Sequence, residues 1–248
     1  MDRKIRVGAV SYLNTKPLIF GFENGMMKES IDLVFDYPAN IAKQLIENEI
    51  DIGLIPVAVL PQLKEYHIIS DFCIAADGEV ASVCLFSDVP LNEIKTILLD
   101  YQSRTSVALL KVLLKEHWKI SPDLVQASEG YENTISGNTA GLVIGDRALQ
   151  QRLKSTFIYD LSTTWKELTG KPFVFAAWIS NKQMTQQFIA NFNQANKFGL
   201  DNLERVVREN PYDTYDLHTY YTDNIKFNPQ FDKLEVITLF LEKIGADQ

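Results

Sequence analysis

Short apolar runs alternate with amphipathic segments over the first quarter of the chain. The runs KIRVGAV, IDLVFDY and DIGLIPV are rich in Val, Ile and Leu, which is typical of buried strands. A helix is predicted to begin near Thr15, with Pro17 in its first turn. ANIAKQLIENEI has the spacing of an amphipathic helix, and VAVLPQL predicts a short one. The order strand, helix, strand, helix, strand predicts a parallel sheet covered by helices.

The same alternation returns in the middle of the chain, between two longer strand candidates. These candidates are EVASVCLFS at 79–87 and FVFAAWIS at 173–180. Between them we predict strands in TILLD, LVQAS, AGLVIG and FIYDL, and helices in SRTSVALLKVLLKEHW and DRALQQRL. The residues that follow have helical patterns.

This organisation predicts an α/β protein of two lobes, with the second lobe inserted into the first. We assign residues 1–86 and 180–248 to lobe 1 and residues 87–179 to lobe 2. The two longer strands would cross between the lobes and leave a cleft. Ligands of open α/β sheets bind outside the carboxyl ends of the strands, so binding residues are expected where a strand leads into a helix.

Composition narrows the classes of function. The chain has 248 residues, of which 46% are apolar and 23% charged, as in folded globular proteins. Its 24 Lys and Arg against 32 Asp and Glu give a net charge of -8, which disfavours a general nucleic-acid binder. Cys73 and Cys84 have neither disulfide-framework nor metal-ligand spacing, so we predict two buried thiols and no metal. We expect a cytoplasmic protein without a membrane partner, because neither a signal peptide nor a long apolar run is recognisable.

The first strand-to-helix junction, VGAV-SYLNTKP, carries Ser11, Asn14 and Thr15. Hydroxyl and amide groups beside the free N–H groups of a helix start suit a carboxylate or hydroxyl ligand. The alternative is that Asn14 or Thr15 is only the N-cap of the helix.

The second junction, ILLD-YQSRTS, carries Ser103, Arg104, Thr105 and Ser106. Three hydroxyls exceed what capping requires, and the helix start with Arg104 would hold a carboxylate. The alternative is a cap with a solvated arginine.

The third junction, LVIG-DRAL, carries Gly145, which permits close backbone approach, and Asp146. Asp146 is either an N-cap, or a base or hydrogen-bond acceptor for a substrate hydroxyl. Ser82, in the first crossing strand, would lie at the hinge and is a further candidate for substrate binding.

Five segments, in order, resemble one enzyme family. They are SYLNTKPL, DIGLIPVAVL, LLDYQSRTSVALLKVLL, LVIGDRAL and YDLSTTWKELTGKPFVFAAW. Together they resemble the chorismate dehydratases of the futalosine route to menaquinone. The resemblance implies the two-lobed fold of type 2 periplasmic binding proteins, used as a cytoplasmic enzyme. It also implies the loss of water from chorismate, giving 3-[(1-carboxyvinyl)oxy]benzoate, without a metal or organic cofactor. We expect a small-molecule substrate as the partner and a monomer or weak homodimer.

The resemblance gives the junction residues roles. Asn14 matches the family's Asn in the first loop and is predicted to be catalytic, fixing or polarising the substrate. Ser103, Thr105 and Ser106 would hold one carboxylate, and Ser11 and Ser82 the other polar groups. The proton acceptor would be the substrate's own side-chain carboxylate or a protein group such as Asp146.

Two alternatives stay open. One is the sister enzyme that releases 1,4-dihydroxy-6-naphthoate, whose first loop resembles SPCPNDT and which relies on a His of the second lobe. This chain has SYLNT instead, and the only His of its predicted second lobe, His117, lies late in a helix. The other alternative is a non-catalytic protein that binds small anions on the same fold.

Overall fold

The computed structural model describes residues 3–245, which form two α/β units. Unit 1 comprises the chain up to Ala75 together with Val174–Phe231, and unit 2 comprises Ala76–Phe173 together with the chain from Asp232. This division differs from the predicted lobes at three places, because residues 76–86 and the last helix lie in unit 2, and residues 174–179 lie in unit 1.

Packing explains these differences. Residues 174–179 belong to the strand that pairs with residues 52–56 of unit 1. The strand of the predicted 79–87 segment pairs on both sides with strands of unit 2. In the last helix, Phe240 packs edge-on against Trp165 and Phe173, with ring centroids 6.0 and 4.9 Å away. The C-terminal helix therefore completes the core of unit 2.

Each unit is built on a five-stranded mixed sheet, counted over residues 3–245. The strand orders are β2-β1-β3-β10-β4 in the first sheet and β7-β6-β8-β5-β9 in the second. The strands are β1 (Ile5–Ala9), β2 (Ile31–Phe35), β3 (Ile52–Pro56), β4 (His67–Ala76), β5 (Val83–Ser87), β6 (Thr96–Leu99), β7 (Asp123–Gln126), β8 (Thr139–Ile144), β9 (Phe157–Asp160) and β10 (Phe173–Ser180). The predicted parallel arrangement is confirmed for β1, β2 and β3. The two longer strands, for which no direction was predicted, run antiparallel to their neighbours, β10 to β3 and β5 to β8 and β9.

The predicted helices are present, with changes at their ends. The α-helices are α1 (Lys16–Glu23), α2 (Pro38–Ile46), α3 (Arg104–Leu113), α4 (Gly145–Gln151), α5 (Leu161–Thr169), α6 (Gln186–Asp201), α7 (Leu203–Glu209), α8 (Leu217–Thr219) and α9 (Lys233–Gly245). The short helix predicted in VAVLPQL is a 3₁₀ helix, Val57–Gln62, and α3 continues into a π-helical turn, Leu114–Trp118. None of the helices in this part of the chain combines the length and apolar character needed to cross a membrane.

The segment before β5 is not the strand that was predicted. β5 begins only at Val83, and Ser82 therefore lies just outside it. Ala81 has a left-handed backbone, with φ of +62°, which removes residues 79–82 from the sheet. Cys84, within the strand, and Cys73, in unit 1, are buried and form no disulfide within residues 3–245, and both predictions of buried thiols are confirmed.

Helix α1, which follows the first junction, is held against α6 by two glycines. A Cβ at Gly21 would lie 2.2 Å from the Ala195 carbonyl oxygen, and one at Gly199 would lie 1.8 Å from the Pro17 carbonyl oxygen. Only glycine permits backbones to approach so closely. The contact fixes the start of α1 and, with it, the loop that carries the first set of candidate residues.

Asp51, at the start of β3, joins three parts of unit 1. Its carboxylate accepts hydrogen bonds from Arg3 and Lys182, each at 2.7 Å, and from the Arg6 N–H at 2.9 Å. Burial by itself would raise the pKa of Asp51, but these donors outweigh it and lower the pKa to about 2.

Asp51→Asn is expected to lower the free energy of unfolding by about 2 kcal/mol near pH 7, because the amide loses both ion pairs. Since the folded pKa of Asp51 lies below the ordinary value of 3.8, its contribution is present above that value and is lost as the pH falls through about 2. Urea unfolding near pH 7 and near pH 3 measures the difference. Asp32→Asn is the matched control, because Asp32 forms only an exposed pair with Lys4. If Asp51→Asn lowers the free energy of unfolding by the same amount at both pH values, the prediction is contradicted.

Candidate functional site

One edge of the second sheet collects the carboxyl ends of β6, β8 and β9. β6 runs parallel to β8, and β5 runs antiparallel to both β8 and β9. The first residue of β5, Val83, therefore lies opposite Ile144 at this edge. The helices α3, α4 and α5 all begin here. The edge brings together Ser82, the segment 103–106 and the segment 145–146, which are the candidate residues of unit 2.

The start of α3 is both a cap and a cluster of buried hydroxyls. The Ser103 hydroxyl accepts a hydrogen bond from the Ser106 N–H at 3.1 Å and donates one to the Ser106 hydroxyl at 2.8 Å. The capping interpretation is therefore confirmed for Ser103. Thr105 and Ser106 are also buried, whereas Arg104 is exposed at the same start. Capping accounts for one hydroxyl, so the buried Thr105 and Ser106 hydroxyls exceed its needs.

Gly145 and Asp146 form the start of α4. Gly145 has a φ of +63°, which favours glycine, and its N–H donates to the Ser82 carbonyl at 2.8 Å. Ile144 occupies the N-cap position without a side-chain cap bond, and Asp146 lies in the first turn. The capping interpretation of Asp146 is therefore wrong. Asp146 is half-buried at the positive end of α4 and directly follows Gly145, whose N–H binds the Ser82 carbonyl.

Asp160, which we assigned no role from the sequence, organises two segments at this edge. One carboxylate oxygen accepts the N–H groups of Ser162 and Thr163, each at 3.0 Å, and so caps α5. The other accepts the N–H groups of Val80 and Ala81, at 3.0 and 2.8 Å. Burial raises the pKa of Asp160, and the N–H donors oppose that rise. The N-cap pattern of Asp followed by Leu-Ser-Thr is visible in the sequence, but the second pair of contacts is not.

A second buried aspartate, Asp100, follows β6. Its carboxylate accepts the Gln102 N–H at 2.7 Å, the Tyr131 hydroxyl at 2.8 Å and an Arg147 N–H at 2.8 Å. Arg147 also pairs with Glu132. Burial raises the pKa of Asp100, and the charge of Arg147 opposes that rise. Arg147 thus ties the loop before Ser103 to the start of α4.

The Arg147 guanidinium is enclosed by aromatic rings as well as by acids. It lies 5.1 Å from the ring centroid of Tyr101 and 5.8 Å from that of Tyr131. Such contacts add to the ion pairs and restrict where the arginine can point. No short-range signal in the sequence links Asp100 to Arg147.

The first junction lies at the carboxyl end of β1, in unit 1. Ser11 is exposed, Asn14 is half-buried and Thr15 is buried. The Thr15 hydroxyl donates to the Asn14 side-chain oxygen at 3.2 Å, and neither Asn14 nor Thr15 makes a side-chain cap bond. Thr15 therefore occupies the N-cap position of α1, as one interpretation predicted, but its side chain does not cap the helix. Within residues 3–245 the side-chain N–H groups of Asn14 have no hydrogen-bond acceptor, so they can donate to a ligand.

The candidate residues at the edges of the two sheets supply hydrogen-bond donors and carboxylates. No three His, Cys, Asp or Glu side chains come close enough to hold a metal ion within the described part of the chain. Ser11 and Asn14 lie on unit 1, and the remaining predicted site residues lie together on unit 2.

Sequence comparison relates the chain to one protein family and to named enzymes. The model of a family described as menaquinone biosynthesis matches residues 5–246. A chorismate dehydratase from Thermus thermophilus is 28% identical over 221 residues, which cover 81% of this chain and 79% of that protein. A chorismate dehydratase from Campylobacter jejuni is 27% identical over 230 residues, which cover 89% of this chain and 88% of that protein.

Structural comparison relates the chain to a binding-protein fold. A protein from Archaeoglobus fulgidus superposes with a TM-score of 0.74 at 15% identity, covering 98% of this chain and 96% of that one. A Candida albicans gene product, described as having the generic periplasmic binding protein fold, superposes with a TM-score of 0.63 at 13% identity, covering 99% and 90%. At these identities the similarity shows the fold alone, and the predicted two-lobed α/β fold is confirmed.

Proposed function

Because this chain belongs to the menaquinone-biosynthesis family, we propose that it removes water from chorismate to give 3-[(1-carboxyvinyl)oxy]benzoate. One observation carries the proposal. The buried hydroxyls at the start of α3, Ser82 and Asp146 in the first turn of α4 lie on one sheet edge, where the Gly145 N–H binds the Ser82 carbonyl. A substrate with two carboxylates and a ring hydroxyl needs donors and an acceptor of this kind. The names of the two sequence relatives support the same activity.

The reaction explains what the residues must do. The ring carbon loses its hydroxyl, the neighbouring ring carbon beside the ether oxygen loses a proton, and the two leave as water. The C–H electron pair becomes part of the new aromatic ring, and aromatisation supplies the driving force. The enzyme therefore has to orient the substrate and stabilise the leaving oxygen and the developing charge.

We assign one substrate carboxylate to the start of α3. The hydroxyls of Thr105 and Ser106 and the positive end of the helix favour an anion there. Ser103 supports this arrangement by fixing the Ser106 hydroxyl at 2.8 Å. The exposed Arg104 can add a bidentate pair to the same carboxylate.

We assign the other polar groups of chorismate to Ser11, Ser82 and Asn14. An amide cannot act as a base near pH 7, so Asn14 serves as a donor that fixes and polarises the substrate. The proton acceptor is then the substrate's own side-chain carboxylate or Asp146. We favour the substrate, because none of the junction segments carries a His or Glu.

The proposal extends to the setting of the reaction. The SYLNTKPL resemblance supports a place in the futalosine route to menaquinone. A cytoplasmic enzyme, acting as a monomer or weak homodimer, is consistent with a substrate that is made and used inside the cell.

The test is to incubate the purified protein with chorismate and EDTA, without any added cofactor. Chromatography with mass spectrometry should detect a product lighter by one water, at a rate well above that of chorismate alone. Loss of chorismate at the rate of the protein-free control would contradict the proposal. A thermal-shift screen with chorismate would then separate a binding protein, which is stabilised by the compound, from a protein that does not recognise it.

A further inference from the structure

The turn that precedes β5 is strained. Ala81 has a φ of +62°, a conformation that side chains other than glycine rarely adopt. The Ser82 N–H donates to the Val80 carbonyl, two residues earlier, at 2.7 Å. This is a three-residue turn of the uncommon, strained kind, which persists only where its surroundings impose it.

The carboxylate of Asp160 holds the turn in this strained conformation. Its second carboxylate oxygen binds the N–H groups of both Val80 and Ala81, so it fixes two successive peptide units of the turn. Each bond joins a charged acceptor to a backbone donor in a half-buried setting, where such bonds are stronger than neutral ones. Helix capping by the first oxygen does not require these contacts.

The Val80–Ser82 turn also fixes the residues at this edge of the second sheet. Ser82 is 1% exposed, and its carbonyl accepts the Gly145 N–H at 2.8 Å. Gly145 is the left-handed residue that begins α4 and directly precedes Asp146. A continuous chain of hydrogen bonds thus leads from Asp160 through Ser82 to the start of α4.

We propose that Asp160 is a positioning residue for the dehydration: its carboxylate holds the strained Val80–Ser82 turn and so places Ser82 and the start of α4 for the substrate. This inference rests on the proposed function. It requires a group with two acceptor oxygens and no donor, because the Asp160 carboxylate accepts hydrogen bonds from four backbone N–H groups and from the Cys84 thiol.

Asp160→Asn separates positioning from capping. Asparagine is a good N-cap, so its oxygen can still bind the N–H groups of Ser162 and Thr163. Its NH₂ group then faces the N–H groups of Val80 and Ala81 and cannot accept from them. We expect kcat/KM for chorismate to fall about tenfold or more, mainly through kcat, while the far-ultraviolet circular dichroism stays unchanged. Asp216→Asn is the matched control, because Asp216 caps the short helix α8 in unit 1.

A second substitution tests whether Asp160 acts through the Val80–Ser82 turn. Ala81→Gly introduces a residue that adopts positive φ without steric strain. In the Asp160→Asn background it should recover several-fold of the lost kcat/KM, because the turn then needs less support. A purely structural role of Asp160 in helix α5 predicts no such recovery.

Cysteine labelling gives a readout that is independent of activity. Cys84 is 0% exposed, and its sulfur lies 3.4 Å from the Ala81 carbonyl and 3.6 Å from an Asp160 oxygen. Release of the turn should therefore speed the reaction of Cys84 with a thiol reagent, followed by mass spectrometry. Cys73, equally buried in unit 1, is the internal control.

The outcomes separate this inference from the proposed function. Wild-type kcat/KM together with slow Cys84 labelling in Asp160→Asn would overturn the inference and leave the dehydratase intact. A loss of activity that Ala81→Gly does not relieve would also overturn it. If the wild-type protein leaves chorismate unchanged, the proposed function fails, whereas faster Cys84 labelling, reversed by Ala81→Gly, would still support the hold of Asp160 on the turn.

Discussion

Asn14→Ala is expected to lower kcat for chorismate dehydration by about 10²–10³-fold, the usual effect of removing one preorganised donor. The Asn14 side-chain oxygen accepts a hydrogen bond from the Thr15 hydroxyl at 3.2 Å, which leaves its N–H groups as the donors for a ligand. Asn14→Asp should have a similar effect, because it keeps the shape but replaces the donors by a negative charge opposite a dianionic substrate. Steady-state kinetics on both variants measures the loss.

Asn191→Ala is the matched control for this prediction. Asn191 is an exposed residue of α6, and its side-chain oxygen accepts a hydrogen bond from Gln187 at 2.9 Å. Its replacement should leave kcat within about twofold of the wild type. Full turnover in either Asn14 variant would remove Asn14 from the catalytic assignment, while the dehydration itself would stand.

The second large effect is expected in stability. Arg147→Met should lower the free energy of unfolding by about 3–5 kcal/mol near pH 7, the usual result of leaving one partner of a buried ion pair behind. The Asp100 side chain is 0% exposed and would keep its charge without its cation. Urea or thermal unfolding measures the loss. Arg205→Met, which breaks an exposed pair with Glu209, should cost no more than about 1 kcal/mol.

The pH dependence of this variant has a definite sign. Burial already raises the pKa of Asp100 above its ordinary value of 3.8, and Arg147 opposes that rise. Removing Arg147 raises the pKa further, so the folded variant binds the proton more tightly than the unfolded chain does. The unfolding free energy of the variant then falls as the pH rises through the raised pKa. The loss of unfolding free energy relative to the wild type should therefore be smaller at low pH. Asp100→Asn in the Arg147→Met background should recover part of the stability near pH 7. A deficit that does not depend on pH would contradict this account.

Local patterns were sufficient for most of the fold. β10 was predicted with its observed bounds, and β1, β3 and α1 within a few residues, because each has a strong apolar period or a clear start signal. β4 was not predicted, since HIISDFCIAA mixes polar and apolar residues and receives its order from pairing. The direction of β5 and β10 also could not be predicted, because direction is set by partners that lie far away in sequence.

The candidate site was predictable where its residues are adjacent in the sequence. The SYLNT loop and the SRTS helix start were recognised from adjacent residues, and both lie at carboxyl ends of strands. Asp160 and Asp100 were missed because their contacts reach Val80 and Arg147, about 80 and 47 residues away. The position of Ser82 was wrong for the same reason, since its turn is imposed by Asp160 rather than by its neighbours.

The division of the chain between the units bears on how the protein emerges from the ribosome. Unit 1 lacks its strand β10, the partner of β3, until well over half of the chain has been synthesised. Unit 2 waits still longer, because Phe240 of α9 must be synthesised before it can pack against Trp165 and Phe173. Neither unit can therefore complete its folding until its second segment has been synthesised, and both expose unpaired strand edges during that interval. Its yield in cells should thus depend on chaperones and on the rate of synthesis more than that of a protein whose domains are contiguous.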